Sequence, residues 1–387
     1  MQRSEKRILT THAGSLPRSK ELGEMFGRLS HHEPVDHAAM ERVIEESTRR
    51  IVRMQADCGI DVGNNGEQSR ESFFTYVQHR MSGFGGRGER PHLADIWSYP
   101  SFLELSQRMR GTVKVDLLHP PKAVAEVRYV DRAPIDRECT DFLRIVDETR
   151  PGFTESFMTA PSPGIIAAAM LNDHYASLED YVSAIADALK VEYETIVSRG
   201  MVLQIDAPDL GLEHHTSYAQ RPLKEFLGFV DLIVAAINRS LENVPPERVR
   251  LHVCWGNYEG PHNRDVALDE ILPILLKARV GAMLLSMANP RHEHEYRCFE
   301  RHRIPPEMII IAGVVDSTTN YIEHPEVVAD RIERVARAIG DPHRVMASPD
   351  CGFETTTGMQ MVAEEIVWEK LRAMRDGAAI ASRRLFG

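Results

Sequence analysis

The chain has 387 residues, 43% hydrophobic and 27% charged, with a formal net charge of −11. This is the composition of an ordinary globular protein with enough length to bury a large core. The acidic balance, with basic residues dispersed, argues against nucleic acid or an anionic membrane as partner.

The opening Met1-Gln2-Arg3-Ser4-Glu5-Lys6-Arg7 runs directly into a strand-like Ile8-Leu9-Thr10-Thr11. No apolar leader precedes it and no apolar run reaches the length of a membrane span, so a cytoplasmic setting is expected. From there short apolar segments alternate with amphipathic helical patterns. Eight segments read as strands: residues 8–13, 60–64, 157–160, 202–206, 250–254, 282–287, 309–315 and 345–348. Several are almost wholly apolar, as strands buried on both faces should be. Between them, residues 37–56 place Met40, Val43, Ile44, Ile51 and Met54 at helical spacing. Ser177-Leu-Glu-Asp180 reads as a capped helix start, and that helix should stop at Gly200. Pro325 and Gly340 bracket a further helix. Eight such units predict an α/β fold, a (β/α)8 TIM-type barrel, as one domain over residues 1–387. One interval breaks the rhythm. About residues 68–155 separate the second and third strands, rich in Gly, Arg and Pro around 83–91 and with a strand-like 123–130. This reads as a long insertion over one barrel mouth.

In such barrels the active site lies at the C-terminal strand ends. Polar residues collect there: His12 to Arg18 after strand one, Asn64 to Gln68 after strand two, Asp206 to Asp209 after strand four, Asn289 to Glu295 after strand six and Asp316 to Thr319 after strand seven. Strand five ends in His252-Val-Cys254, and strand eight is followed by Asp350-Cys351-Gly352. Side chains at i and i+2 of a strand share a face. One imidazole and two thiolates make a borderline-soft donor set that suits zinc and leaves a fourth position exchangeable. A substrate thiol in that position would be a thiolate at neutral pH, which points to alkyl transfer onto sulfur. The alternative is that these cysteines are small buried hydrophobes. The five cysteines, Cys58, Cys139, Cys254, Cys298 and Cys351, contain no Cys-x-x-Cys pair and do not read as a disulfide framework. Other residues carry two readings each. Arg18 and Arg70 could meet an anionic substrate group or form surface ion pairs. Residues 289–295 could bind metal or be a solvated helix start. Trp255, Tyr258 and Glu259 could line a pocket or simply pack, and Met283 and Met287 suit core filling.

Thr11-His-Ala-Gly-Ser-Leu-Pro-Arg18, Gly66-Glu-Gln-Ser-Arg70, Leu203-Gln-Ile-Asp-Ala-Pro208, His252-Val-Cys-Trp-Gly-Asn-Tyr-Glu-Gly-Pro261, Asn289-Pro-Arg-His-Glu-His-Glu295, Asp316-Ser-Thr-Thr-Asn320 and Asp350-Cys-Gly-Phe353 together form a pattern. It resembles the catalytic barrel of the cobalamin-independent methionine synthase family, in the short single-barrel branch that includes epoxyalkane:coenzyme M transferase. The resemblance spans nearly the whole chain. It implies a Zn2+ enzyme that alkylates a metal-bound thiol, with His252, Cys254 and Cys351 as zinc ligands. It further implies that Gly14, Ser15, Glu67 and Asp206 hold the amino and carboxylate groups of a homocysteine-like thiol, with Glu67 and Asp206 as the catalytic carboxylates.

Three positions depart from that pattern. Ser286 stands where the resemblance places a zinc-ligating Glu at the end of strand six. Asp316-Ser317-Thr318 lacks the His of an Asp-x-His proton donor for a departing folate. Aliphatic residues follow Pro161-Ser-Pro-Gly164, where a pterin-stacking Trp is expected. The expected partners are therefore a small thiol and an alkyl or methyl donor of open identity, with homo-oligomerisation left open. The expected activity is zinc-dependent methyl transfer to homocysteine or a similar thiol. Epoxide opening by a zinc-bound thiolate is the alternative within the class. A metal-free barrel of the uroporphyrinogen decarboxylase type and a non-catalytic binding barrel are the alternatives outside it.

Overall fold

In the computed structural model, which describes residues 1–109, 115 and 119–387, eight parallel strands form a barrel. They are β1 (Leu9–Thr10), β2 (Val62–Gly63), β3 (Glu155–Pro161), β4 (Val202–Asp206), β5 (Val249–Val253), β6 (Ala282–Leu285), β7 (Ile309–Val315) and β8 (Val345–Pro349). Hydrogen-bonded neighbours run β1-β8-β7-β6-β5-β4-β3-β2. Each strand falls on a segment expected from the sequence, but β1 and β2 are only two residues long. Side chains take over part of the ladder at the seam between them. The Asp61 N–H donates to Thr10 O at 3.0 Å, and Asp61 Oδ2 accepts from the Thr10 N–H at 2.8 Å. Thr11 Oγ1 donates to Val62 O at 2.9 Å. Gln55 closes the upper end, accepting from the Asn64 N–H and donating to Asn64 O.

The strands are buried on both faces, and their alternation sorts the lumen into layers. Its lower part is apolar, with Leu9, Ala282, Leu284, Ile309, Ile311 and Met346 in one cluster and Val62, Phe157 and Val202 in another. Burying each large aliphatic side chain contributes about 1.5–3 kcal/mol. Further along the same faces the character changes: Gln204 and Asp206 follow Val202, and His252 follows Arg250, all of them buried. Apolar packing thus fills the base while polar groups gather at the C-terminal strand ends.

The outer ring contains α1 (Lys20–Ser30), α2 (His37–Cys58), α3 (Ala133–Thr149), α4 (Leu178–Ser198), α5 (Leu223–Ser240), α6 (Leu268–Leu275), α7 (Pro325–Ile339) and α8 (Glu364–Phe386). The Ser177 hydroxyl accepts from the Asp180 N–H at 3.1 Å, so α4 starts at the expected cap. Gly340, at φ 76°, ends α7 in the left-handed conformation that favours glycine. No described helix is long and apolar enough to cross a membrane.

The long segment after β2 contains α3, which packs against α2 and α4. It also contains a two-residue antiparallel pair, Phe84–Gly85 with Lys122–Ala123. The strand expected over 123–130 is therefore mostly absent. Gly83, at φ 90°, bends the partner segment, and pairing resumes only at an isolated Met81–Tyr129 bridge. Residues 110–114 and 116–118 of the expected 68–155 insertion lie outside the described residues.

Candidate metal and thiol site

β5 brings His252 to the top of the lumen, with Cys254 just beyond it, while Cys351 lies two residues past β8. Gly313 on β7 lets the chain after β8 come close, because a Cβ there would lie 2.9 Å from Asp350 Cα. The three expected ligands converge: their donor atoms all lie within 4.8 Å of one another, and all three residues are buried. The two sulfurs are 4.0 Å apart. Two thiolates on a tetrahedral zinc with bonds of about 2.3 Å sit roughly 3.8 Å apart, so the spacing fits.

His252 is oriented from behind. Its Nδ1 lies 2.9 Å from Asp206 Oδ1, and its Nε2 lies 3.2 Å from Asp350 O. A ring that donates its Nδ1–H to a carboxylate presents a lone pair at Nε2, the usual arrangement of a metal-ligating histidine. Burial works against a charged ring, yet the contacts with Asp206 and Cys254 outweigh it and lift His252 to about 10. The Cys351 S–H and the His252 ring hold Cys254 well below the usual thiol range, while Cys351 itself is pushed up. The cluster therefore favours a cation beside a thiolate, and the donor set fits zinc.

Asp206 is itself wired from below. Gln204 Nε2 donates to Asp206 Oδ1 at 2.7 Å, and Arg250 Nε donates to Gln204 Oε1 at 2.8 Å. The Arg250 guanidinium also donates to Thr11 Oγ1 and His12 O, and lies 3.6 Å over the Phe157 ring. Burial pushes it down to about 9. This chain from Arg250 to His252 was missed in the sequence. Its available signal was a cation two residues before His252 in an otherwise apolar strand.

Glu67 faces the same cavity from a left-handed backbone, φ 57°. Such a conformation in a non-glycine residue costs about 1–3 kcal/mol and persists only where its surroundings impose it. Here Asn65 Oδ1 accepts from the Glu67 N–H at 3.0 Å, and Arg18 donates to the carbonyls of Glu67 and Arg70. Glu67 Oε1 accepts from Thr159 Oγ1 at 2.9 Å, whereas its buried Oε2 has no protein partner. Burial first, and the nearby Asp206 charge second, push this carboxyl up to about 7. Gly14, at φ 123°, makes room for it, since a Cβ there would come within 2.7 Å of Glu67 Oε1. The Gly14 N–H is taken by His12 Nδ1 at 3.2 Å, so Gly14 contributes space. Ser15 lines the cavity beside Cys351.

The cavity measures about 500 Å³. Ser15, Glu67, Asp206, His252, Cys254 and Cys351 form its floor, and the segment after β2 supplies Phe73, Arg90, Leu93, Ile96 and Trp97. A smaller space of about 20 Å³ adjoins Cys254, Cys351 and Ser286. Ser286 donates to Asp350 O at 3.2 Å. The Asp350 carboxylate holds the loop after β6 by accepting the N–H groups of Met287, Ala288 and Asn289 at 2.8–2.9 Å. Asp316 is engaged locally, accepting from the N–H and hydroxyl of Thr318.

Arg18 and Arg70 follow neither expected reading. Both are buried; Arg18 binds backbone carbonyls, and Arg70 forms a two-pronged ion pair with Glu138 while donating to Thr159. Residues 289–295 split, with His292 and Glu295 buried but Arg291 and His294 exposed. Trp255 packs against His292, while Tyr258 lines the cavity.

Comparison with known proteins places this architecture. A family model described as the catalytic domain of cobalamin-independent synthase matches residues 154–379. A methionine synthase of Sulfurisphaera tokodaii is 24% identical over 378 residues, covering 97% of this chain and 93% of that protein. The methionine synthase of Sulfolobus acidocaldarius is also 24% identical, over 377 residues and the same shares of the two chains. A solved B12-independent methionine synthase from Shewanella sp. W3-18-1, in complex with selenomethionine, superposes with a TM-score of 0.74 at 19% identity, covering 98% of this chain and 99% of the other. With the family model covering more than half its length, the chain belongs to the cobalamin-independent synthase catalytic-domain family.

Proposed function

We propose that this protein transfers a methyl or related alkyl group to the sulfur of a homocysteine-like amino-acid thiol, with zinc held by His252, Cys254 and Cys351. The observation that carries this reading is one cavity on whose buried floor a thiol-rich donor set faces two carboxylates, Glu67 and Asp206. The methionine synthase activity named for its relatives supports it. Bound zinc would lower the pKa of a coordinated thiol, so that a thiolate exists at neutral pH. Asp206 orients His252, and Gln204 and Arg250 keep Asp206 in place. The unpartnered Glu67 Oε2 accepts a hydrogen bond from the substrate ammonium, and Asp206 adds negative charge beside it. Phe73, Leu93 and Trp97 supply apolar walls to the space where the electrophile meets sulfur.

Thiol choice follows from the charges that face the cavity. Arg18 and Arg70, the basic side chains nearest Glu67 in sequence, are tied to backbone carbonyls and to Glu138. Neither lines the cavity; Glu67 and Asp206 on its floor favour the ammonium of an amino-acid thiol over a sulfonate, while Arg90, the arginine that does line the cavity, lies 3.9 Å from Glu213. The decarboxylase reading leaves the nitrogen–sulfur donor set without a task. The test is cobalt substitution followed by a panel of thiols. Homocysteine should perturb a sulfur-to-cobalt charge-transfer band and release a proton on binding. A panel in which no thiol alters the metal spectrum would overturn the reading.

A further inference from the structure

We propose that His262, Asp265 and His292 form a second site for a first-row divalent cation of the zinc class, separate from the cysteine-containing set. Their donor atoms lie within 4.8 Å of one another. Asp265 Oδ2 is 2.9 Å from His262 Nδ1 and 2.8 Å from His292 Nε2. All three side chains are at most 5% exposed. Two imidazoles and one carboxylate suit zinc or a neighbouring transition cation.

The outer faces of the rings carry the argument further. His262 Nε2 lies 3.0 Å from Tyr258 O, and His292 Nδ1 lies 2.9 Å from Glu295 Oε2. Both outer partners only accept hydrogen bonds. A neutral imidazole has one N–H, and giving it to the outer acceptor leaves its inner lone pair aimed at the Asp265 carboxylate. That arrangement needs positive charge at the centre. Two imidazolium rings, with centres 6.4 Å apart, would supply it with Asp265 and Glu295 as their counter-charges. One divalent ion is the other arrangement the same geometry serves, leaving both rings neutral with their outer N–H groups held as metal-ligating histidines usually hold them.

A second observation is independent of these two rings. His215, 1% exposed, places Nε2 3.2 Å from Asp265 Oδ1 and Nδ1 3.6 Å from Asp95 Oδ1. Neither of its ring nitrogens, nor Asp265 Oδ1, makes a well-directed hydrogen bond. Buried polar atoms left this way usually mark a missing partner. An ion with bonds of about 2.0–2.2 Å would spread its ligands to roughly 3.3 Å, so Asp265 Oδ2 must move by about half an ångström. The space of about 20 Å³ beside Cys254 and Cys351 is lined by His262 and His292 as well, so the two clusters share a wall.

Such an ion would clamp two segments together: the chain leaving β5, which carries Cys254, and the loop after β6, which carries Ser286. Trp255 stacks on His292 with centroids 4.0 Å apart, which extends the clamp to the residue beside Cys254.

The test is metal content of the full-length protein, refilled with zinc and dialysed, compared with a Cys254→Ser/Cys351→Ser variant. About two ions per chain in the first and about one in the second are expected. Cobalt in the cysteine variant should show ligand-field absorption without a sulfur charge-transfer band. Adding His262→Gln and His292→Gln to that variant should remove the remaining ion. A wild-type protein that saturates at one ion, with a cysteine variant that binds none, would overturn the proposal. Should the combined variant fail to fold, the wild-type and cysteine-variant measurements decide the matter by themselves.

Discussion

The floor of the cavity is made by strand ends and is polar, buried and hydrogen-bonded, whereas its roof comes from the segment after β2 and is largely apolar, with Trp97 51% exposed. On the floor, Asp206 fixes His252, Gln204 and Arg250 fix Asp206, and Arg18 fixes the loop carrying Glu67. On the roof, Trp97 has one stacking partner, His92, at 4.2 Å. A site whose geometry is set by the barrel can hold one reactant rigidly. A roof of surface segments can differ between relatives and accept another electrophile without disturbing the thiol.

The largest effect should come from the floor. Cys254→Ala or Cys351→Ala should strip the metal from the cysteine-containing site and reduce alkyl transfer by at least about 10³-fold, several kcal/mol of lost charge stabilisation. Metal analysis alongside turnover checks this. Full retention of both would mean that the floor is not a metal centre, and the contrast with the roof would lose its basis.

The second effect concerns the donor. The loop after β7 offers Asp316, whose carboxylate is occupied by the Thr318 N–H and hydroxyl, and no imidazole stands in the Asp316-Ser-Thr-Thr319 stretch. A methyl group leaving a folate nitrogen needs that nitrogen protonated. Without a positioned acid, transfer from methyl-tetrahydrofolate should run about 10²–10⁴-fold below that expected with one. Methylcobalamin or an epoxide, compared at equal thiol and enzyme, should outpace it. Folate turnover equal to theirs would show that the donor side also retains its proton chemistry.

The carboxylates come next. Glu67→Gln and Asp206→Asn should each weaken binding of an amino-acid thiol by about 1.5–3 kcal/mol, roughly 10–150-fold, with zinc still bound in the Glu67 variant. A pH signature separates charge from shape. Glu67 sits at about 7 in the folded chain against an ordinary value of 4.5. Between those values the folded chain keeps a proton that the unfolded chain has lost. Its contribution to stability is thus complete below 4.5 and is lost as pH rises through 7. An ammonium ligand favours the ionised form, so affinity should rise with pH up to about 7 and then level. A thioether amino acid is the right probe, because it carries no thiol proton to confuse the slope. Glu67→Gln should flatten both profiles, and an unchanged slope would assign the titration to another group.

The same contrast explains what could be read in advance. Barrel strands follow from apolar runs at regular spacing, and the shared face of His252 and Cys254 follows from parity, since they are two residues apart at a strand end. The short β1 and β2 were not legible, because Asp61, Thr10 and Gln55 replace backbone ladder bonds with side-chain ones. Arg18 and Arg70 were misread for a related reason. Their burial depends on carbonyls and on Glu138, which only the folded chain brings near. The roof left the least trace: Leu93 and Trp97 share one face of a single helical turn, Ala94–Trp97, too short to stand out in the sequence, and Phe73 joins them at the cavity from a separate loop.

The smallest effect should come from that roof. Phe73 is half-buried against the cavity and Trp97 is half-exposed, so neither removes the full area of a core side chain from water. Full burial contributes about 1.5–3 kcal/mol, and half of that corresponds to a change of roughly 3–10-fold. Phe73→Ala and Trp97→Ala should therefore raise the KM for the electrophile by about that factor. Thiol affinity and metal content should stay as they are, because no floor hydrogen bond runs through either ring. Steady-state kinetics with each substrate varied in turn, read beside thiol titration of the cobalt form, makes the distinction. Loss of thiol binding in either variant would show that floor and roof are one coupled structure, and that electrophile choice cannot change without cost to the thiol.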